Sequence, residues 1–250
     1  ILERALQNNE LPVQVLNFGR PGAETVDHIE ILNKYVIPAN PDFILLQWFI
    51  NDVEGRDKSG RPTYLRLIPS STFTHALTKH SALYYLANDL WRKIQLSTGL
   101  ADSYEAYLVD NFFDPKSQTT QSANDALEKF MRICKRASIP MGVVLFPNFS
   151  ESLGYDYPLG FLLDRVLSKC RAEQVQCLDL RGTYANVEPV SSLWVNRFDR
   201  HPGPLANKLA AEKISTHFGI QWARSGVKTG TTSITSTAIP PAGAAFNSGG

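Results

Sequence analysis

Four short, mostly apolar runs rich in β-branched and aromatic residues constrain the fold of this chain more than any other feature. They are residues 13–18 (VQVLNF), 41–49 (PDFILLQWF), 141–147 (MGVVLFP) and 175–180 (VQCLDL). Strands of this kind are typical of a parallel sheet that is buried on both faces. Segments with helical spacing separate the runs, over 23–37, 120–137 and 158–172. Strands alternating with helices predict an α/β fold, a three-layer α/β/α sandwich with right-handed crossovers.

The domain organisation follows from the same pattern. Residues 1–222 are predicted to form one domain, in which 53–118 is a long insertion after the second strand. The insertion contains an aromatic-rich helix whose ring side chains, such as Trp91, we expect mainly in the core. Because open α/β sheets bind ligands at the carboxyl ends of their strands, the insertion is also a candidate lid or substrate wall. The Thr-, Ser-, Gly-, Pro- and Ala-rich segment 223–250 is predicted to be a disordered tail.

Composition excludes several classes of function. The 250 residues carry a formal net charge of +1, which argues against nucleic acid as a partner. No apolar run approaches the roughly 20 residues that span a bilayer, so no transmembrane segment is expected. The first residues have a helical apolar pattern without the features of a signal peptide. We therefore expect either processing or an incomplete gene, and the cellular compartment stays open.

The three cysteines do not form a metal-binding pattern. They are Cys134, Cys170 and Cys177, without a CxxC pair or a His-rich neighbourhood, so we expect no metal site. Cys170 and Cys177 flank a predicted helix-to-strand turn and are candidates for a disulfide. The alternative is that they are small buried apolar residues.

Three loops at predicted strand ends carry residue types that can take part in catalysis. The loop 17–25 contains Gly22, whose backbone N–H can approach an oxyanion or simply belong to a tight turn. Asn51 and Asp52 follow the second strand, where Asn51 can donate its side-chain amide to an oxyanion and Asp52 can brace the loop. Asp199 and His201 precede a helix that begins near Leu205, and they have the residue types of a general base and its orienting carboxylate.

The remaining histidines are weaker candidates for a general base. None of them has an acid at comparable spacing on a strand-end loop. They are His28 in the first crossover helix, His75 and His80 in the insertion, and His217 near a helix end.

Taken together and in this order, the three loops resemble conserved blocks of the SGNH (GDSL-type) hydrolases, esterases and lipases with a flavodoxin-like sandwich. The stretch NFGRPGAET is similar to the second block, which carries the oxyanion glycine onto Gly22. FIND is similar to the third block, G-x-N-D, and carries the oxyanion asparagine onto Asn51. DRHP is similar to the fifth block, which implies that His201 is the base and Asp199 its partner. The resemblance covers roughly residues 1 to 220.

The chain departs from the family pattern at three places. Phe49 replaces the glycine of the third block, and Asp199 and His201 are two residues apart where the family commonly has three. The nucleophilic serine of the family lies in a Gly-Asp-Ser block after a first strand, and no such strand and block precede residue 17. Asp102-Ser103 echoes the block but follows no apolar strand. The resemblance therefore predicts a sheet without its first strand and a nucleophile outside this chain.

The resemblance implies an ester hydrolase, an esterase, lipase or carbohydrate O-acetylesterase, that needs no cofactor or metal. Its partner would be a small-molecule or glycan ester. The alternatives are a non-catalytic relative that binds an acylated glycan, and an acyltransferase on the same scaffold. Acyl chain length, the alcohol and the oligomeric state are left open by the sequence. As given, the chain is expected to be inactive.

Overall fold

A computed structural model describes residues 1–8, 11, 13–20, 22–54, 80–98, 103–149, 153, 157–197 and 199–224. The strands are β1 (Ile44–Phe49), β2 (Met141–Phe146), β3 (Gln176–Asp179), β4 (Trp194–Asn196) and β5 (Asp199–Pro202). The first helices are α1 (Leu2–Asn8), α2 (Thr25–Ile31), α3 (Ala82–Ser97) and α4 (Tyr104–Phe112). The later helices are α5 (Gln118–Arg136), α6 (Gly160–Ala172), α7 (Arg181–Tyr184) and α8 (Pro204–Arg224).

The prediction of a mixed α/β fold with a parallel sheet is confirmed. Strands β1, β2 and β3 pair in parallel in that order, and Phe49 of β1 lies opposite Phe146 of β2. All six residues of β2 are buried, so the central strand is covered on both faces. In β1, by contrast, Gln47 is exposed. This difference in burial is expected, because β2 lies between two strands and β1 lies at the edge of the described sheet.

The prediction of a strand over 13–18 is wrong. Residues 13–20 have no regular structure, and Val15 and Leu16 are exposed. The backbone N–H of Val15 donates to Oε2 of Glu3 at 2.7 Å rather than to a neighbouring strand. A strand is stabilised by its ladder of hydrogen bonds, and within the described residues this segment has no neighbour with which to form one.

Helix α8 packs on one face of the sheet through aromatic side chains. A Cβ added to Gly142 of β2 would lie 2.5 Å from Cε1 of Phe218, so the ring of Phe218 rests directly on the strand backbone. The rings of Phe218 and Trp222 stack with centroids 5.9 Å apart, and Phe43 meets the edge of Trp222. The glycine in β2 is therefore explained by close approach of a helix.

The second half of the predicted insertion consists of two helices with different environments. In α4, Leu108 and Phe112 are fully buried, so this helix belongs to the core. In α3, Trp91 is 54% exposed and Leu83 is 78% exposed. The expectation that Trp91 lies in the core is wrong, because the described side chains of α3 are not buried against other elements. Residues 55–79 of the insertion lie outside the described residues.

The cysteines are free thiols. A hydrogen bond to Cys170, together with burial, raises the pKa of Cys177. Within the described part of the chain no helix has the length and apolar character needed to cross a bilayer. From residue 225 onward, the predicted tail 223–250 lies outside the described residues.

Candidate active site

The carboxyl edge of the parallel sheet gathers the loops that carry the predicted site. Because β1 and β2 run parallel with Phe49 opposite Phe146, the residues that follow each strand leave at the same edge. Asn51 and Asp52 follow β1 in a short 3₁₀ turn, Ile50–Val53. Asn148 and Phe149 follow β2.

Asp199 and His201 are in direct contact. Nδ1 of His201 lies 2.5 Å from Oδ1 of Asp199, and the same oxygen accepts the backbone N–H of His201 at 3.0 Å. These hydrogen bonds, the backbone one first, hold the pKa of Asp199 below its usual range. The side chain of His201 is 78% exposed, so the ring is open to a reacting partner. A carboxylate on Nδ1 leaves Nε2 as the nitrogen that exchanges a proton.

A hairpin, not a loop, positions this pair. Strands β4 and β5 are antiparallel, with Trp194 opposite Pro202. The sequence interpretation placed the pair on a loop because the strands are only three and four residues long. Asp199 and His201 alternate with Arg200 along β5, so both side chains point to one face of the hairpin.

The hairpin is attached to the carboxyl edge of the sheet by a hydrogen bond, and further contacts join that edge to α7 and α8. Nε1 of Trp194 donates to the backbone oxygen of Phe149 at 2.8 Å, directly after β2. The ring of Phe149 packs edge-on against Tyr184, and the Tyr184 hydroxyl donates to the backbone oxygen of Ala206 in α8. The hairpin that carries His201 is thus anchored through Trp194 to the segment that follows β2.

Asp52 organises the turn that presents Asn51. Its Oδ2 accepts the backbone N–H of Phe49 at 2.7 Å, which closes the turn around Asn51. Asp52 is buried, and burial raises its pKa to about 8. Asn51 is half-buried, and within the described residues its carboxamide makes no hydrogen bond. The amide is therefore available to a ligand, and Asp52 has the bracing geometry expected for it.

Gly22 lies in a turn directly before α2. Its φ of +70° is left-handed, a conformation that favours glycine. The N–H of Ala23 donates to the backbone oxygen of Arg20, which closes the turn. An added Cβ at Gly22 would have no atom within 4 Å, so the backbone angle rather than crowding accounts for this glycine.

Two residues of α2 that sequence reasoning did not select connect the Gly22 loop to the Asn51 turn. Oγ1 of Thr25 donates to the backbone oxygen of Asp52 at 3.0 Å. Nδ1 of His28 lies 3.7 Å from Oδ1 of Asp52. Thr25 and His28 are three positions apart and so share a helix face. That spacing, on the helix after the first loop, is the signal that would have found them.

The structure brings some predicted site residues together and leaves others apart. Asp199 and His201 are paired, and the loops of Gly22 and Asn51 are joined through Thr25 and Asp52. No hydrogen bond within the described residues connects the Asp199–His201 pair to Asn51. Oγ of Ser103 accepts the backbone N–H of Ala106 and caps α4, which is an ordinary structural role for a serine.

Other polar groups at this edge support the loops. The Tyr104 hydroxyl donates to Oε1 of the buried Glu54. The backbone N–H of Asn148 donates to the hydroxyl oxygen of Tyr157, and its side-chain amide donates to Oε1 of Glu105. Among the described residues, no group of three or more His, Cys, Asp or Glu side chains is arranged to hold a metal ion.

No protein-family model matches the sequence, and comparison with curated proteins and with solved structures yields no significant match.

Proposed function

We propose that this chain forms the core of a serine ester hydrolase of the SGNH type. The observation that carries the proposal is the 2.5 Å contact between Asp199 and His201, on a hairpin anchored beside the end of β2. An exposed imidazole oriented by a carboxylate is the arrangement that activates a hydroxyl nucleophile. The carboxamide of Asn51, which makes no hydrogen bond within the described residues, supports an acyl-transfer reaction, because such a reaction needs oxyanion donors.

The proposed mechanism assigns one task to each residue. A serine hydroxyl attacks the carbonyl of a carboxylic ester while Nε2 of His201 takes its proton, and Asp199 holds the ring through Nδ1. The Gly22 N–H and the Asn51 side chain donate to the oxyanion. His201 then protonates the leaving alcohol and activates water for deacylation. The substrate class is an ester of a short acyl chain, or an acetyl group on a sugar, and no cofactor or metal takes part.

The serine, in this proposal, comes from a strand outside these 250 residues. That strand would pair with the outer edge of β1, completing the sheet of a three-layer sandwich. One observation supports it: β1 is an edge strand among the described residues. A parallel strand inserted here would end at the same edge as Asn51.

A labelling experiment tests the proposal on the complete gene product. An alkyl fluorophosphonate, which reacts with activated serines, is expected to label a serine outside residues 1–250. His201→Ala should lower kcat on p-nitrophenyl acetate by about 10²–10⁴-fold. Asn51→Ala should lower it by about 10²–10³-fold.

The matched control is His217→Ala, which removes an exposed histidine from α8 and should leave the rate unchanged. Full activity in His201→Ala, or the absence of any labelled serine in an active preparation, would rule the mechanism out.

A further inference from the structure

A buried pair of polar atoms lies behind the Asn51 turn and is not used by the proposed mechanism. Nδ1 of His28 and Oδ1 of Asp52 face each other at 3.7 Å. Their side chains are 18% and 4% exposed, respectively. Neither atom has a hydrogen-bond partner within the described part of the chain. Buried polar atoms without a hydrogen bond lower the stability of the folded state, unless the two neighbours form a hydrogen bond with each other.

Three oxygen atoms of Asp52 face α2 or the turn, and two of them accept hydrogen bonds. Oδ2 accepts from the N–H of Phe49, and the backbone oxygen accepts from Thr25. The third atom, Oδ1, is the one that faces His28. Any change at this third atom therefore acts on the same carboxyl group that closes the turn around Asn51.

The charges around the pair disfavour an ionised Asp52. Glu24 and Asp27 of the α2 segment act on it with like charge, while Arg20 pairs with Asp27 at 3.5 Å. Arg165 of α6 lines a cavity with Asp52 but donates to the backbone oxygens of the α4 terminus. Burial, the largest cause, raises the pKa of Asp52 to about 8 and lowers that of His28. Burial therefore favours the neutral form of both groups.

We propose that His28 and Asp52 share one proton, which the Asp52 carboxyl donates to Nδ1 of His28, and that His28 is thereby a positioning residue for the Asn51 turn. No bond other than the O–H···N hydrogen bond forms. The two atoms must approach by about 1 Å to reach hydrogen-bond distance. The shared proton is a property of these 250 residues and does not depend on the proposed function. Only the functional purpose of positioning Asn51 rests on the proposed function.

Nuclear magnetic resonance on the chain itself tests the shared proton. The Cγ resonance of Asp52 and the ring nitrogens of His28 are followed between pH 4 and pH 10. We expect one transition near pH 8 that appears on both residues, with Nδ1 of His28 an acceptor below it. Independent transitions, with Asp52 titrating near pH 4 and His28 near pH 6.5, would overturn the proposal.

Substitutions at His28 test its positioning role. His28→Leu removes the acceptor, and the Phe49 amide should then exchange its hydrogen at least about tenfold faster, in a pH-dependent manner. His28→Gln retains an acceptor oxygen and should restore exchange to within about threefold of the original rate. Glu30→Leu, an exposed position on the same helix, is the control and should change nothing.

Equal exchange rates in the Leu and Gln variants would overturn the positioning role. Neither measurement uses catalysis, so a failure here is separate from a failure of the esterase proposal. In the complete enzyme, a correct esterase assignment with an unaffected pH profile in His28→Leu would refute only the positioning role.

Discussion

Asp52 gives the stability of this chain a specific dependence on pH. Its pKa is about 8 in the folded protein and ordinarily near 3.8, so the folded state binds the proton more tightly. The contribution of this group is fully present below about pH 4 and is lost as the pH rises towards 8. Between these two pH values, the contribution of Asp52 to the unfolding free energy falls by about 1.4 kcal/mol per pH unit.

Asp52→Asn should remove this dependence. The Asn side chain retains an oxygen that can accept from Phe49, and its amide can donate to His28. Relative to the original chain, the variant should become more stable with each pH unit between 5 and 8, as measured by urea unfolding. A constant difference between the two chains across this range would show that Asp52 is already ionised.

Gly203 controls how closely the hairpin meets α8. A Cβ at this position would lie 2.2 Å from the backbone oxygen of Trp194, and the Gly203 N–H donates to Leu193 at 2.7 Å. Because a backbone atom cannot move aside cheaply, Gly203→Ala should destabilise the fold by about 1–3 kcal/mol. Gly182→Ala is the control, since an added Cβ there meets no atom within 4 Å. Equal unfolding free energies for the two variants would contradict this reading.

Among the elements, the buried strands were predictable because burial and pattern agree. Strands β1, β2 and β3 lie within the three later apolar runs, and α5 and α6 differ from their predicted bounds by at most two residues. Residues 13–18 have the same pattern without a strand partner, which an apolar run by itself cannot reveal. The short hairpin β4–β5 was missed because it depends on the Trp194 and Gly203 contacts rather than on a period.

The helix type in the segment that begins with α2 was also not predictable from local sequence. The spacing predicted one helix over 23–37, whereas the structure has α2, then a π-helical stretch Leu32–Val36, then a 3₁₀ turn Ile37–Ala39. Hydrophobic spacing does not distinguish these helix types, because they differ by small changes in residues per turn.

The attachment of the hairpin to the sheet gives a prediction at this scale. Trp194→Phe retains an aromatic ring but loses the hydrogen bond to Phe149, which should cost about 1 kcal/mol of unfolding free energy. It should also increase the rate of amide hydrogen exchange in β4 and β5 more than in the rest of the protein. Trp91→Phe on the exposed α3 is the matched control. If exchange in the hairpin stays unchanged, Trp194 does not anchor it.

For the whole molecule, the sequence selects candidate site residues but not their arrangement, and the catalytic roles of these residues stay predictions. The selection used only position along the sequence, close to the predicted strand ends. It gave Asp199, His201, Asn51 and Gly22. The spacing of Thr25 and His28 places both residues on one face of α2. That this face lies against the Asn51 turn is information that only the folded chain contains. The anchoring of the hairpin at Phe149 likewise joins residues 45 positions apart.

The last prediction concerns catalysis by these 250 residues alone. They contain the proposed base His201 with its partner Asp199 and the oxyanion candidates, but no serine of the described residues is hydrogen-bonded to His201. Among the described residues β1 is also an edge strand, so the backbone groups on its outer side have no strand partner there. We therefore expect no His201-dependent hydrolysis of p-nitrophenyl acetate and a low unfolding free energy. Hydrolysis by this chain that His201→Ala abolishes would mean that the nucleophile lies within it, and that the proposed additional strand is unnecessary.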